Sequence, residues 1–349
     1  MKKVKKVAII GHFGFGKQCV NGQTIKTKIL AEQLEKIYGC DEVIKIDSHG
    51  GVKTLLKSPM QVVKALRQSQ NLIFLPAPRG IRVYVPLIAF FNRFKKRKVH
   101  HVFIGGWHPT FLLKHKWIAK SLKKIDGNYP ETASVKQKLE KQGFQNVHVL
   151  QNFKELTILS NNAFLYDNSL PYRLCTFSRV LEKKGIGDAI EAVKTINERF
   201  KREAFTLDIY GPVDLDQKEW FEKIMHNSPG YIKYKGEVPF TQSTVTLKTY
   251  HSLLFPTKFY TEGVPGTIID AYASGIPVLS SRWESFSDVV EEGITGYGYE
   301  FNNTESLVEL LEKIMQNPDM LNSLKVNCVE KAKKFTPEYA LKDIISRLG

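Results

Sequence analysis

The 349-residue sequence has few cysteines and no long apolar segment. Its four cysteines show no paired spacing, which argues against a disulfide framework or a zinc site and favours a reducing compartment. They are Cys19, Cys40, Cys175 and Cys328. The longest apolar run, residues 84–91, is far shorter than the ~20 residues that a membrane-spanning helix needs. The lysine-rich start runs directly into a predicted strand, unlike a signal peptide. We therefore expect a soluble, cytoplasmic chain.

Acidic residues are scarce in the first half of the chain. Residues 1–170 contain 29 Lys and Arg but 10 Asp and Glu, a formal charge of +19, whereas the remainder carries −3. An excess of this size predicts an anionic partner for the first half: nucleic acid, a membrane surface or a phosphorylated substrate. Composition does not choose among the three.

Short apolar segments alternate with amphipathic helical segments through both halves. This pattern predicts parallel, doubly wound α/β sheets. The predicted strands of the first half are residues 7–10, 42–46, 71–75, 101–104 and 147–150, and the pattern restarts at residues 173–177. We therefore expect two α/β domains, joined by a linker at residues 164–171.

Two predicted helices of the first half, residues 86–98 and 111–125, mix apolar residues with many lysines and arginines. Cationic amphipathic helices of this kind lie on anionic bilayers. The same pattern fits a helix that packs its apolar face on the core and exposes its basic face to water. The one-sided charge favours membrane association, and both interpretations stay open.

Residues 11–17, GHFGFGK, fit the Gly-x4-Gly-Lys pattern of a phosphate-binding loop. Two features argue against a nucleoside triphosphatase. Gln18 lacks the hydroxyl that would bind Mg²⁺, and the following helix is predicted to begin only at Thr24. Gly14 and Gly16 therefore predict a glycine-rich loop of another kind.

The most informative segment is residues 253–303, which reads as strand, loop, helix, turn, strand and helix. Glu262 precedes the first helix and Asp270 lies one turn into it. Pro265 and Gly266 favour a helix start, whose free backbone N–H groups attract phosphate. The two carboxylates would then accept hydrogen bonds from a sugar and a ribose. The spacing equally fits two acids that only cap and solvate a helix start.

Three motifs in this segment resemble the donor-binding segment of family-4 glycosyltransferases, which are retaining enzymes of the GT-B fold. They are Glu262-x7-Asp270, Gly275-Ile276-Pro277-Val278 and Glu292-Gly293-Ile294-Thr295-Gly296. The second acid is Asp where the family has Glu, which shortens its reach. The resemblance implies two facing, doubly wound Rossmann-like domains with a cleft between them. We place them at residues 1–165 (acceptor-binding) and 171–335 (nucleotide-sugar-binding), with residues 336–349 as a helix crossing back to the first domain.

The resemblance also implies roles for individual residues. Arg179 and Lys184 match a pair of cations that the family places on the donor diphosphate. Glu262 would position the sugar hydroxyls and Asp270 the ribose. The implied catalytic residues are Glu262, Arg179, Lys184 and His108. The implied donor-binding residues are Gly14, Gly16, Arg179, Lys184, Glu262, Gly266, Thr267 and Asp270. For His108 a purely structural role in its loop fits the sequence equally well.

No metal site or cofactor is expected. Asp214-x-Asp216 matches the metal motif of the other major glycosyltransferase fold, but Asp216 with Glu219 fits a helix capping box instead. The cluster of His100, His101 and His108 has no carboxylate or cysteine nearby that would complete a metal site.

The resemblance thus implies a retaining hexosyltransferase that moves a sugar from a nucleotide-diphosphate donor, with UDP favoured, to a glycan or lipid-linked acceptor. It implies a part in cell-surface or exopolysaccharide synthesis, at the inner face of the membrane. Two alternatives remain. One is a nucleic-acid-binding protein that uses the basic half, although no reading motif is recognised there. The other is a sugar-nucleotide binder without catalysis.

Overall fold

The computed structural model describes residues 4–16, 22–160, 163–164, 166–317 and 319–349, without the side chains of residues 52, 53 and 55. Lys17, Gln18 and Cys19, named above, lie outside the described residues. The chain divides into two units, residues 1–155 with 336–349 and residues 156–335. The first unit thus ends at residue 155 rather than at 165.

The first unit is a parallel five-stranded sheet with helices on both faces. Its strands lie in the order β2-β1-β3-β4-β5. They are β1 (Lys5–Gly11), β2 (Val43–Asp47), β3 (Ser69–Phe74), β4 (Lys98–Val102) and β5 (Gly127–Tyr129), and the helices are α1 (Gly22–Tyr38), α2 (Val52–Gln68), α3 (Pro78–Lys95), α4 (His108–Lys114), α5 (Lys116–Leu122) and α6 (Ala133–Lys141).

Strand β1 shows why the sequence forms a doubly covered sheet. Alternate side chains of a strand point to opposite faces, and here both faces are buried. Val7 and Ile9 belong to the core on one side of the sheet, and Ala8 and Ile10 to the core on the other. The continuous apolar run at residues 7–10 is the sequence signal of this arrangement.

Several predicted elements of this unit differ from the structure. Helix α3 begins at Pro78, eight residues before the predicted start, and Pro86 lies inside the helix. The helix predicted at residues 111–125 is two helices, divided at His115, whose backbone leaves the helical region. Residues 147–150 form an isolated bridge from Val147 to Asn128, not a strand.

The second unit is a parallel six-stranded sheet in the order β11-β10-β9-β6-β7-β8. Its strands are β6 (Tyr172–Phe177), β7 (Phe205–Tyr210), β8 (Ile232–Gly236), β9 (Ser252–Phe255), β10 (Val278–Ser281) and β11 (Gly296–Tyr299), and its helices are α7 (Ile186–Phe200), α8 (Lys218–His226), α9 (Ser243–Leu247), α10 (Gly266–Ala273), α11 (Phe286–Val289), α12 (Thr304–Gln316), α13 (Asp319–Asn322) and α14 (Lys325–Ala332). Two buried clusters cover its faces. The predicted class, two parallel Rossmann-like sheets, is confirmed.

The last two helices, α15 (Pro337–Ala340) and α16 (Lys342–Leu348), belong to the first unit. Leu341, Ile344 and Leu348 pack in the same core cluster as one face of β1. The amide of Asn71 on β3 donates to the Leu348 carbonyl at 3.1 Å. No helix among the described residues is long and apolar enough to span a bilayer.

Candidate active site

The strand order of the second sheet marks one place where a ligand is expected. The chain runs from β6 outward to β8, then returns to β9 on the other side of β6. Ligands of open parallel sheets bind beyond the carboxyl ends of the strands at such a reversal. The loops that leave β6 and β9 meet there. The first carries Arg179 and Lys184, and the second carries Glu262.

Lys184 and Glu262 are in direct contact. The Lys184 ammonium donates to Glu262 Oε1, and the Thr257 hydroxyl donates to the same oxygen at 3.2 Å. The ammonium also lies 5.3 Å from the ring centroid of Phe255 and 5.2 Å from that of Phe259. The two charged side chains are only 16% and 18% exposed. Two predicted site residues 78 positions apart are thus brought together in a partly desolvated place.

Gly185 allows the two loops to approach this closely. Its φ is +73°, a conformation that favours glycine. A Cβ at this position would lie 1.8 Å from the carbonyl oxygen of Pro256. The loops are further joined by a hydrogen bond of 2.9 Å from the Lys258 N–H to the Lys183 carbonyl and by an ion pair between Lys258 and Asp188. The position of Lys184 is therefore fixed by backbone contacts.

Helix α10 starts directly after the Glu262 loop. Pro265 caps it without a side-chain hydrogen bond, and its carbonyl accepts from the Ile268 N–H at 3.1 Å. The Thr267 hydroxyl is buried and has no partner among the described residues. Asp270, one turn further, is buried with 7% of its surface exposed. Gly266 and Thr267 therefore lie on the helix end that favours an anion, and Asp270 lies one turn behind them.

Arg179 contacts a different acid. Its side chain is 61% exposed, and its guanidinium contacts Asp214 at 3.1 Å. No sequence motif predicts this contact of Asp214. The capping box predicted for Asp216 and Glu219 is wrong, because α8 begins at Lys218 without a side-chain cap. No cluster of three or more His, Cys, Asp or Glu side chains suited to a metal occurs among the described residues.

The glycine loop of the first unit is built around Asp47, an acid outside every predicted motif. Gly14 and Gly16 have φ of 63° and 74°. The N–H groups of Phe13 and Phe15 donate to the Asp47 carboxylate at 2.9 and 3.0 Å. Burial raises the pKa of Asp47, but hydrogen bonds from neighbouring backbone N–H groups outweigh it and lower the pKa. These two amides thus bind a carboxylate of the chain itself. The only sequence signal was an acid at the end of β2.

His108 is fully buried. Its ring stacks between Phe103 and Trp107, with centroids 4.0 and 3.9 Å away. Nδ1 lies 3.3 Å from the Gly105 carbonyl oxygen, while Nε2 has no partner among the described residues. Burial, then the charge of His101, holds the pKa of His108 well below its ordinary value. The ring is therefore neutral and, in this conformation, out of reach of a substrate. The catalytic role of His108 stays a prediction.

Comparison with known proteins identifies the second unit. The family model described as "Glycosyl transferases group 1" matches residues 167–335. Among curated proteins, the chain is 25% identical over 150 residues to the amylovoran biosynthesis glycosyltransferase AmsK of Erwinia amylovora. It is 26% identical over 163 residues to the alpha-monoglucosyldiacylglycerol synthase of Acholeplasma laidlawii. These alignments cover 42% and 46% of this chain, and 36% and 39% of the relatives' lengths.

Solved structures extend the likeness to the whole chain. The sucrose-phosphate synthase of Thermosynechococcus elongatus superposes with a TM-score of 0.78 at 15% identity, over 98% of each chain. Anabaena Alr3699/HepE, solved in complex with UDP, gives 0.75 at 12% identity over 98% of this chain and 99% of that one. At these identities the likeness concerns the fold. With the matching family model, it shows that residues 167–335 belong to the group 1 glycosyltransferase family and that the chain has the GT-B fold.

Proposed function

We propose that this chain is a retaining glycosyltransferase that moves a sugar from a UDP-sugar to a glycan or lipid-linked acceptor. The observation that carries the proposal is the contact of Lys184 with Glu262 at the sheet reversal, directly before α10. A cation and a helix start suit a diphosphate, and a carboxylate suits the hydroxyls of a sugar. Solved relatives that bind UDP and UDP-glucose support the choice of donor.

The proposed chemistry assigns one task to each group. Lys184, Arg179 and the first N–H groups of α10 stabilise the charge that builds on the departing diphosphate. Asp270 accepts hydrogen bonds from the ribose, and Glu262 from the sugar hydroxyls. The buried Thr267 hydroxyl, which lacks a partner among the described residues, is a further donor for a phosphate oxygen. Gly14, Gly16 and His108 stay predictions for the same ligand.

The proposed acceptor and location rest on composition and on the names of relatives. One relative is named for amylovoran biosynthesis and another for a monoglucosyldiacylglycerol, which supports cell-surface glycan or lipid-linked acceptors. The +19 charge of residues 1–170 supports a peripheral position at the inner face of the membrane. We propose no metal requirement, so EDTA should leave the transfer rate unchanged.

A ligand panel followed by product analysis tests the proposal. UDP-, GDP-, ADP- and dTDP-sugars are compared by thermal shift, and each hit is then incubated with and without acceptor. We expect a UDP-sugar to raise the melting temperature and NMR of the product to show the donor's anomeric configuration. Binding without hydrolysis or transfer would favour the non-catalytic binder. No binding of any sugar nucleotide would overturn the proposal.

A further inference from the structure

A cavity of about 750 Å³ lies in the first unit, between the carboxyl-terminal ends of α3 and α5. We call it the α3–α5 cavity. Buried apolar side chains form part of its wall: Val85, Ile88, Val99 and Leu122. Five cations and one acid form the charged part of the lining. The cations are Arg93, Lys96, Arg97, Lys120 and Lys124, and the acid is Asp126. A ligand that enters meets positive charge beside an apolar wall.

These cations are not neutralised within the part of the chain that the structure describes. None of the five forms an ion pair there; Arg97 Nε donates to the Leu66 carbonyl instead. The one acid, Asp126, accepts a hydrogen bond of 2.8 Å from the Val99 N–H and so holds the start of β4. The cavity therefore keeps a large excess of positive charge.

Helix dipoles do not account for this arrangement. A cation in the last turn of a helix is favourable at that helix end alone. Two helix ends that present their cations to one cavity add repulsion between like charges. A bound anion removes that repulsion. Phosphate suits the site because its several oxygens accept charge-assisted hydrogen bonds from several cations at once.

Exposed aromatic side chains lie beside the same cations. Phe90 and Phe94 on α3 are 53% and 73% exposed, and Trp117 on α5 is 51% exposed. Phe90 precedes Arg93 by one helical turn, and Trp117 precedes Lys120 in the same way. Large apolar side chains next to cations are typical of helices that lie in a bilayer interface. This neighbourhood favours a phosphate carried by a lipid over one free in solution.

The cations of the α3–α5 cavity that adjoin the sheet lie at the edge opposite the glycine loop. Lys96 and Arg97 precede β4 and Lys124 precedes β5, at the amino ends of these strands, while the apolar wall extends along the sheet to Phe74 at the end of β3. The loop with Gly14 and Gly16 follows the carboxyl end of β1. A headgroup in the cavity therefore leaves the carboxyl edge of this sheet free.

We propose that the α3–α5 cavity binds the phosphate of an anionic lipid headgroup. The proposal deepens the membrane association of the proposed function by giving it a site, and it does not depend on sugar transfer. The ligand is a phosphate ester, which cations from two helices hold while the adjoining aromatic side chains lie in the bilayer interface.

Three variants separate this site from diffuse charge. Lys96→Glu with Lys120→Glu reverses one cation on each wall. Lys28→Glu with Lys141→Glu makes the same charge change at exposed positions of the same unit that do not line the cavity. Ala89→Phe fills the cavity and leaves the charge unchanged.

The measurement is sedimentation with phosphatidylcholine vesicles, with and without phosphatidylglycerol, beside calorimetry with inorganic phosphate. We expect binding only to the anionic vesicles. Lys96→Glu with Lys120→Glu should weaken it at least about tenfold, and Ala89→Phe should weaken it several-fold. The control pair, Lys28→Glu with Lys141→Glu, should weaken it less than about threefold. Equal losses in both charge pairs would overturn the proposal. So would tight binding of inorganic phosphate without vesicle binding, because the ligand would then be soluble. Calorimetry with UDP on every variant separates failure of this site from failure of the proposed function.

Discussion

Lys184 has two competing partners in the proposed reaction. It contacts Glu262 in the structure, and the proposed function requires it to bind a diphosphate. A diphosphate carries more negative charge than one carboxylate, so donor binding exchanges one ion pair for a stronger one. The exchange also releases Glu262 to accept hydrogen bonds from the sugar. Donor binding and preparation of the sugar site are thereby coupled through a single lysine.

Removal of either cation should nearly abolish transfer. For Lys184→Ala and Arg179→Ala we expect a fall in kcat of roughly a hundredfold or more, since one lost contact to transition-state charge typically costs ~3 kcal/mol. Lys183→Ala is the matched control, because Lys183 is the exposed neighbour of Lys184. Melting temperatures check that each variant folds. Near-normal rates in the Lys184 or Arg179 variant would refute the assignment.

Asp270 and Glu262 should be distinguishable by calorimetry with UDP. Asp270→Ala is expected to weaken UDP binding, because the ribose belongs to the nucleotide as well as to the intact donor. Glu262→Ala should not weaken UDP binding, because UDP lacks the sugar that Glu262 is proposed to contact, yet it should strongly lower turnover of the UDP-sugar. Equal loss of UDP affinity in both variants would contradict this division of roles.

Part of the candidate site is predictable from the sequence, for a physical reason. Glu262, Gly266 and Asp270 lie within one short segment, so local spacing shows their relation to the helix start. Partners that meet only through the fold were not predictable in this way. Asp214 is 35 residues from Arg179 in the sequence, and Asp47 is 34 residues from Phe13, whose N–H donates a hydrogen bond to it. An acid after a strand is a weak signal until the register of the sheet is known.

At the scale of elements, helix existence was easier to predict than helix bounds. The apolar and basic pattern predicts α3 but places its start at Pro86. The structure has Pro78 at the start and tolerates Pro86 inside. The turn at His115 breaks one predicted helix into two while the apolar periodicity continues across it. Periodicity predicts which residues are buried more reliably than where a helix ends.

The junction of the β6 and β9 loops gives an element-scale prediction. Gly185→Ala forces a Cβ against the Pro256 carbonyl at a positive φ, so we expect a loss of several kcal/mol in the free energy of unfolding. Gly187→Ala is the control, because its Cβ meets only Trp220, at an ordinary 3.8 Å. Alanine favours the helix there by about 1 kcal/mol. Chemical denaturation measures both, and equal stabilities would contradict the close approach.

At the scale of the molecule, charge and chemistry are divided between the two halves. The motifs for a sugar nucleotide lie in residues 167–335, which carry the family match, while the positive excess lies in residues 1–170. The fold class was predictable because alternating strands and helices allow few arrangements. The partner of the basic half was not, because long-range charge attracts any polyanion. Bilayer and nucleic acid must therefore be compared directly.

The whole-molecule prediction is that the chain sediments with anionic but not with neutral vesicles, and that salt reverses this. The attraction fades because the screening length shrinks from about 8 Å at physiological ionic strength to about 3 Å at 1 M. Replacing Lys95, Lys96 and Arg97 with Glu together should release the protein and spare UDP binding, as should the same change at Lys120, Lys123 and Lys124. A DNA duplex is the competing polyanion in a parallel titration. Tight, salt-sensitive duplex binding without vesicle binding would move the basic half to the nucleic-acid alternative, because a protein that binds an anionic bilayer must sediment with the vesicles.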